Sequence, residues 1–447
     1  MYFCRELIMP GMKLFFLIPL FLLFFGDPLL KAQTIQQLTL ELKEKAIPLS
    51  VSAGQDQFVD LIFFKDILKD KHIIGAGEAT HGSAEFFVFK HRFFEFLVTE
   101  LGARTFALEE SYATGLLVND YIHGKADSSA EQITSHLSLL WNTHEMKDLI
   151  QWMKSYNDKH TEKLSFFGFD LHAPNLAVNL LIGYLRKVDS SAVSIVKRQL
   201  SAFEDNAILS HRCEKSTYQA NQQKLDSVSK FLEAGKKSFV SRSGLDEWLQ
   251  MRHLVLVLAE CAETYRSGTS DFFCRDPYMA ANIQWIDSFQ TQSRPVMVWA
   301  HNSHIQTETR KPNMGSRLKK VYKDKYYALG FFFNQGTYTA TSVKSYRERY
   351  TLTFSLPESA DGSIAHILKQ ANLKSAFLDF SPGKLSTSAY AWLLGNQQIW
   401  EVGYRGFSTG HKLLFQSYRL SQLYDGMVYF ETVHNSSNYR LLMKPKN

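Results

Sequence analysis

The chain has 447 residues, of which 45% are apolar, 14% aromatic and 21% charged, with 34 phenylalanines. This is the balance of an ordinary globular protein, long enough for one large core or two or three domains, and it excludes a low-complexity chain. The formal charge of +6 is too dilute to argue for nucleic acid, which calls for a basic face, and the densest basic run (Lys319, Lys320, Lys323, Lys325) reads as a solvated helix face.

The first feature in chain order is an unbroken apolar run at residues 14–25, with Lys13 before it and Gly26, Asp27 and Pro28 after it. It is short for a bilayer span and has the form of a signal-peptide apolar region, with Met12 as an alternative start. Cleavage at Ala32 leaves a mature chain beginning near Gln33, exported and without stable membrane insertion. A retained N-terminal anchor is the other reading. Cys213, Cys261 and Cys274 then remain, and one disulfide or a set of buried free thiols both fit.

From residue 71 the pattern is strand, loop, helix, repeated. Ile73 and Ile74 lead into a loop holding Glu78 and His81. Residues 83–101 predict a helix with a phenylalanine-rich face, capped by Ser83 and ended by Gly102. Further buried strands are predicted at 105–108 (then Glu109), 164–169 (then Asp170 and His172), 295–300 (then His301 and His304) and 326–333. Between them, residues 176–265 are helical in pattern and rich in Lys, Gln, Ser and Glu. Short β-like runs return at 338–343, 375–378, 398–402 and 427–430, as sheet extensions or a small α+β subdomain. The expected class is α/β, a largely parallel sheet flanked by helices with a helical insertion. The expected organisation is a signal peptide (1–32), a first part of the core (33–175), a helical insertion or lid (176–270) and a second part of the core with the subdomain (271–447).

Four predicted strands thus deliver ionisable groups at their carboxyl ends: Glu78 with His81, Glu109, Asp170, and His301 with His304. In an open parallel sheet that edge is where ligands bind. A neutral histidine takes a proton from water near neutral pH, and a neighbouring carboxylate fixes its tautomer. A second histidine, or Arg or Lys, can hold an oxyanion. Helix capping is the competing reading for the acids and stays open for Asp170; it is weak for His81, since His is not a favoured cap. His301 and His304 read either as loop histidines without a role or as a pair facing this edge.

At these residues the sequence resembles a known family. Gly77-Glu78-Ala79-Thr80-His81-Gly82, then Glu85-Phe86-Phe87, resembles the signature of the erythromycin esterase family, as does Trp299-Ala300-His301-Asn302-Ser303-His304. Arg275-Asp276-Pro277-Tyr278-Met279-Ala280-Ala281-Asn282 is similar to the family's helix before that strand. Phe167-Gly168-Phe169-Asp170 and Tyr326-Tyr327-Ala328-Leu329-Gly330-Phe331 match as well, so the likeness runs over about 75–336 and more weakly to the C-terminus. It implies hydrolysis of a macrolide lactone by activated water, conferring resistance, with no metal or cofactor. The base falls on His81, the pocket acids on Glu78 and Glu109, and the second histidine pair on His301 and His304. Substrate contacts are expected of Lys90, Arg92, Glu85, Asp170 and Arg275. Macrolide-active members carry Arg where this chain has Lys90, with Arg92 two residues on, and Lys cannot make a planar bidentate contact.

Three rivals remain. Gly406-Phe407-Ser408-Thr409-Gly410 fits the G-x-S-x-G nucleophile elbow, with Asp425 and His434 following in order, but too little chain follows for the rest of that fold. A metal hydrolase with His81, His301, His304, Glu78 and Glu109 as ligands lacks a compact HExxH-type motif. A non-enzymatic pocket for an anionic ligand or haem is the third, and turnover of any ester separates it from the others.

Overall fold

A computed structural model of the protein describes residues 28–52, 58–204, 215–266, 272–290, 294–308, 310, 312–406 and 414–441. The apolar run at 14–25 lies outside them, and a helix, Pro28–Lys45, spans the expected cleavage point. Among the described residues no helix is long and apolar enough to cross a membrane.

The strands in chain order are β1 (Ile47–Pro48), β2 (Ile73–Ala76), β3 (Thr105–Ser111), β4 (Ser165–Asp170), β5 (Val296–Trp299), β6 (Tyr326–Ala340), β7 (Leu352–Leu356), β8 (Ser375–Asp379), β9 (Gln397–Trp400), β10 (Phe415–Tyr418) and β11 (Gly426–Val433). One sheet has the order β1-β8-β11-β6-β2-β5-β3-β4, with β7 paired to β6. The six strands from β11 to β4 run parallel, while β1, β8 and β7 pair antiparallel to their neighbours. The fold is α/β, as the alternation of strands and helices predicts.

Both sheet faces are covered, which is why the strands read as continuous apolar runs. Ile73, Ala107, Phe167 and Val298 enter one core, and their neighbours Ile74, Phe106, Phe166 and Met297 enter the other. The helix Ala84–Leu101 buries Phe86, Phe87, Phe89, Phe93, Phe94 and Phe96 in the second core. Ser83 stands at its N-cap position but its hydroxyl makes no cap bond; Gly102 ends it in the left-handed region.

The expected insertion holds the helices Pro174–Val188, Val193–Gln199, Lys215–Ala234, Lys236–Ser243 and Leu245–Arg266. Its Leu185, Leu225 and Leu254 share the first core with Val298 and Ala328, so this helical layer is continuous with the sheet's own packing. Of the late β-like runs, β8 and β11 extend the main sheet, and β9 pairs with β10 as a separate two-stranded ribbon. Cys261 is a buried free thiol, Cys274 is half-buried, and Cys213 lies outside the described residues.

Candidate active site

The loop after β2 approaches its neighbours more closely than any side chain permits. A Cβ on Gly77 would stand 2.1 Å from the Asn302 side-chain oxygen, and one on Gly82 would stand 1.8 Å from the Thr339 carbonyl. Glycine at both places lets the segment 77–82 lie across the carboxyl end of the sheet.

That segment carries Glu78, which is fully buried and fully engaged. One carboxylate oxygen lies 2.6 Å from Nδ1 of His81; the other accepts from Lys90 Nζ at 2.9 Å and from Trp299 Nε1 at 2.7 Å. The His81 Nδ1–H therefore points to the carboxylate, and Nε2 is left as the basic nitrogen. The ring packs edge-on against Trp141, with centroids 5.2 Å apart, and lies 5.2 Å from the ring of His301.

Glu109, at the end of β3, accepts from Arg275 Nη2 and from the backbone N–H of His301, both at 2.7 Å, and lies 3.3 Å from His304 Nε2. Burial opposes its charge, but His304, His81 and Arg275 outweigh it and hold the carboxyl well below its ordinary range. Burial likewise opposes a charge on His304, yet Asp276 Oδ1 at 2.9 Å and Glu109 lift it to about 9, making it an imidazolium between two carboxylates. Asp170 accepts from Arg275 Nε at 2.9 Å and faces His172 at 3.0 Å; against the cost of burial, these cations hold it well below the carboxylate range. It accepts from the N–H of Leu171, while the helix Pro174–Val188 starts from Ala173, so Asp170 is not that helix's cap.

His301 is held at both ring nitrogens. Gly403 N–H donates to Nε2 at 3.1 Å, while Ser303 Oγ stands 2.8 Å and Ser303 N–H 3.3 Å from Nδ1. Burial, with His81 alongside, pushes the His301 pKa well below the ordinary histidine value.

Glu78, His81, Glu109, Asp170, Arg275, His301 and His304 thus form one connected cluster. Of the other expected substrate contacts, Lys90 meets the cluster only from behind, and Arg92 and Glu85 face elsewhere. Lys90 is wholly buried behind Glu78, 4.2 Å over the Trp299 ring, where burial pulls its ammonium down to about 8 despite the carboxylate. Arg92 forks onto Asp60 and the Ser50 carbonyl instead. Glu85 binds the backbone and ring of His434 at the end of β11. The reason is helical spacing: Lys90 and Arg92 project about 200° apart around one helix, so they serve different neighbours. Sequence reasoning missed Asp276 and Glu401, whose Oε1 lies 3.3 Å from His301 Nδ1. Asp276 stands beside Arg275 in a quoted motif, a signal that could have found it; Glu401 follows β9 with no motif around it. Residues 407–413, with Ser408, lie outside the described residues. Among those described, no three or more His, Cys, Asp or Glu side chains are arranged to hold a metal ion.

An open, mainly parallel sheet with carboxylates and histidines joined at the carboxyl ends of its strands defines an α/β protein with a site built for acid–base chemistry. The chain belongs to the erythromycin esterase family, whose sequence profile matches residues 98–433. That span includes Glu109, Asp170, Arg275, His301 and His304, with Glu78 and His81 just before it. The chain is 25% identical over 371 residues to erythromycin esterase type II of Escherichia coli, covering 76% of this chain and 87% of that one. The fold is shared with a crystal structure from Bacillus cereus (TM-score 0.78, 22% identity, 91% of this chain and 99% of that one). It is also shared with a His-to-Asn variant of erythromycin esterase EreC in its open conformation (TM-score 0.63, 16% identity, 84% and 94%). Family membership supports a hydrolase acting on a small molecule.

Proposed function

We propose that the protein is a carboxylic ester hydrolase in which His81 activates water against the carbonyl of an ester or lactone. The observation that carries this reading is the 2.6 Å contact between Glu78 and Nδ1 of His81, which leaves Nε2 to act as base. A water proton passes to Nε2 as the water oxygen bonds to the carbonyl carbon. Arg275 and His304 supply positive charge for the tetrahedral oxyanion. On its collapse the ester C–O bond breaks, and His81 returns the proton to the departing alkoxide.

The names of the relatives support a macrolide lactone as substrate, and hence a role in antibiotic resistance. Another ester with a bulky apolar body is the second reading, favoured by Lys90 standing where macrolide-active members carry Arg. Neither reading assigns a metal or cofactor. The experiment is hydrolysis of erythromycin and a panel of simple esters, with and without excess chelator. Turnover that survives the chelator is expected; stoichiometric metal that restores a chelated enzyme would overturn metal independence. Cleavage of simple esters alone would overturn the antibiotic reading. We also propose export, checked by finding a mature N-terminus near Gln33 outside the cytoplasm.

A further inference from the structure

The segment after β9 reaches the cluster from a stretch of chain that carries none of the family-like motifs. Val402 N–H donates to the Ala79 carbonyl at 2.7 Å, and Gly403 bridges to Thr80, so this segment lies against the loop of Glu78 and His81. It also reaches both nitrogens of the His301 ring: Gly403 N–H on Nε2 at 3.1 Å and Glu401 Oε1 at 3.3 Å from Nδ1. The Glu401 side chain is only 9% exposed. Its Oε2 is buried and has no hydrogen-bond partner among the described residues. A carboxylate with one oxygen left without a donor in such a place is costly, whereas an uncharged carboxyl group is tolerated.

We infer that Glu401 is a positioning residue of the proposed hydrolysis, acting through His301. Gly403 holds Nε2 and Ser303 holds Nδ1, and the Glu401 carboxyl, 3.3 Å from Nδ1, keeps this ring fixed and uncharged beside His81 while His81 takes up the proton of water. This rests on the hydrolytic reading above.

The groups that face Glu401 agree with that role. His301, Asn302, His304 and the phenols of Tyr418 and Tyr424 stand around it. Burial pushes the Glu401 carboxyl up to about 8, with Asn302 and His304 pulling the other way, so at neutral pH it carries its proton. In that form it exerts no full charge on His301. Once ionised, it favours an imidazolium on His301, and a positive His301 with its ring centroid 5.2 Å from that of His81 opposes protonation of His81. The proton lost from Glu401 goes to solvent, and no other group changes its bonds.

Two measurements test this. The first needs no substrate: side-chain 15N NMR of the histidines in the full chain, followed from neutral to alkaline pH in the wild type and in Glu401→Gln. Lys90 and His304 titrate in the same range, at about 8 and about 9, and their influence persists in both proteins, so the difference between the two is the readout. The expected result is a change in the His301 ring signals with a midpoint near 8 that is present in the wild type and absent from E401Q. Identical His301 curves in the two proteins would overturn the inference, whether or not an ester substrate is found. The second is turnover of an ester that the wild type cleaves. Glu401→Ala is expected to lower kcat about tenfold with KM little changed, and Glu401→Gln to recover most of that loss, since an amide keeps the shape and the neutrality. Equal kcat values in the two variants would also overturn it. An absence of any ester turnover by the wild type would instead count against the hydrolase reading, and the NMR comparison would still decide the role of Glu401.

Discussion

The Glu78–His81 pair was readable from spacing alone, because two residues three apart in a glycine-flanked loop have few ways to avoid each other. Lys90 was not. Its place on the helix said that it lay near the site, but its partner is fixed by the curvature of the loop that brings Glu78 over it. Two predictions follow from these contacts. His81→Ala should lower ester turnover by roughly 10²–10⁴-fold while the protein stays folded, since water is a weak nucleophile without the base that the Glu78-oriented His81 provides. Near-wild-type turnover, measured beside an unchanged circular dichroism spectrum, would reject His81 as the base. Lys90→Met should act differently, through stability. It leaves the Glu78 carboxylate buried beside an apolar chain, and removing one member of a buried ion pair costs about 3–5 kcal/mol. Urea unfolding of the variant measures this; a loss well under 1 kcal/mol would show that the Lys90–Glu78 pair does not hold this part of the fold.

At the scale of elements, β2 to β5 and the helix Ala84–Leu101 were legible because each is a local pattern: a short apolar run, or an apolar face at helical spacing. At the antiparallel edge β8 was legible as the run 375–378, but its partner β1 was not, since β1 has only two residues and its pairing with Ser375–Asp379 joins distant parts of the chain. Asp276 and Glu401 escaped for the same reason. Each meets its histidine across a tertiary contact; the motif around Arg275 points toward Asp276, but nothing in the local spacing announces Glu401. β6 runs on to Ala340 by pairing with β7, and there Gly82 and Thr339 lie backbone against backbone, N–H of Thr339 donating to the Gly82 carbonyl at 2.9 Å. That contact makes Gly82→Ala informative. The added methyl meets main chain rather than a movable side chain, and the element pair must part. A destabilisation of about 1–3 kcal/mol is expected, with activity falling alongside it as the His81 loop shifts. Wild-type stability and turnover in the variant would show that the loop adapts freely and does not set the site geometry.

Across the whole molecule, the cluster is also a pH-dependent part of the fold. Glu109 and Asp170 are held below their ordinary range, so they contribute stability above about pH 4 that is lost as the pH falls. His304 works with the opposite sign. Its folded pKa, about 9, lies above the ordinary 6.5, so the folded state binds more protons than the unfolded chain between these values. Its contribution is fully present below 6.5 and is lost as the pH rises through 9. Lys90 opposes this at the alkaline end: its pKa drops from 10.5 to about 8 on folding, so its unfavourable contribution fades above 8. Between pH 6.5 and 8 His304 is joined, with the same sign, by Glu401 and Glu260, whose carboxyls burial lifts from 4.5 to about 8, and by His172, which Asp170 raises against the cost of burial. The unfolding free energy should fall with pH across that interval, by at most about 1.4 kcal/mol per unit for one group. Asp276→Asn removes the strongest attraction that lifts His304, so it should flatten the slope as well as lower stability at the acid end of the interval. Chemical denaturation of both proteins at pH values across the interval gives the two slopes. A variant that is less stable but keeps the wild-type slope would mean that Asp276 only anchors the N–H of Met314, and that the charge on His304 is set elsewhere.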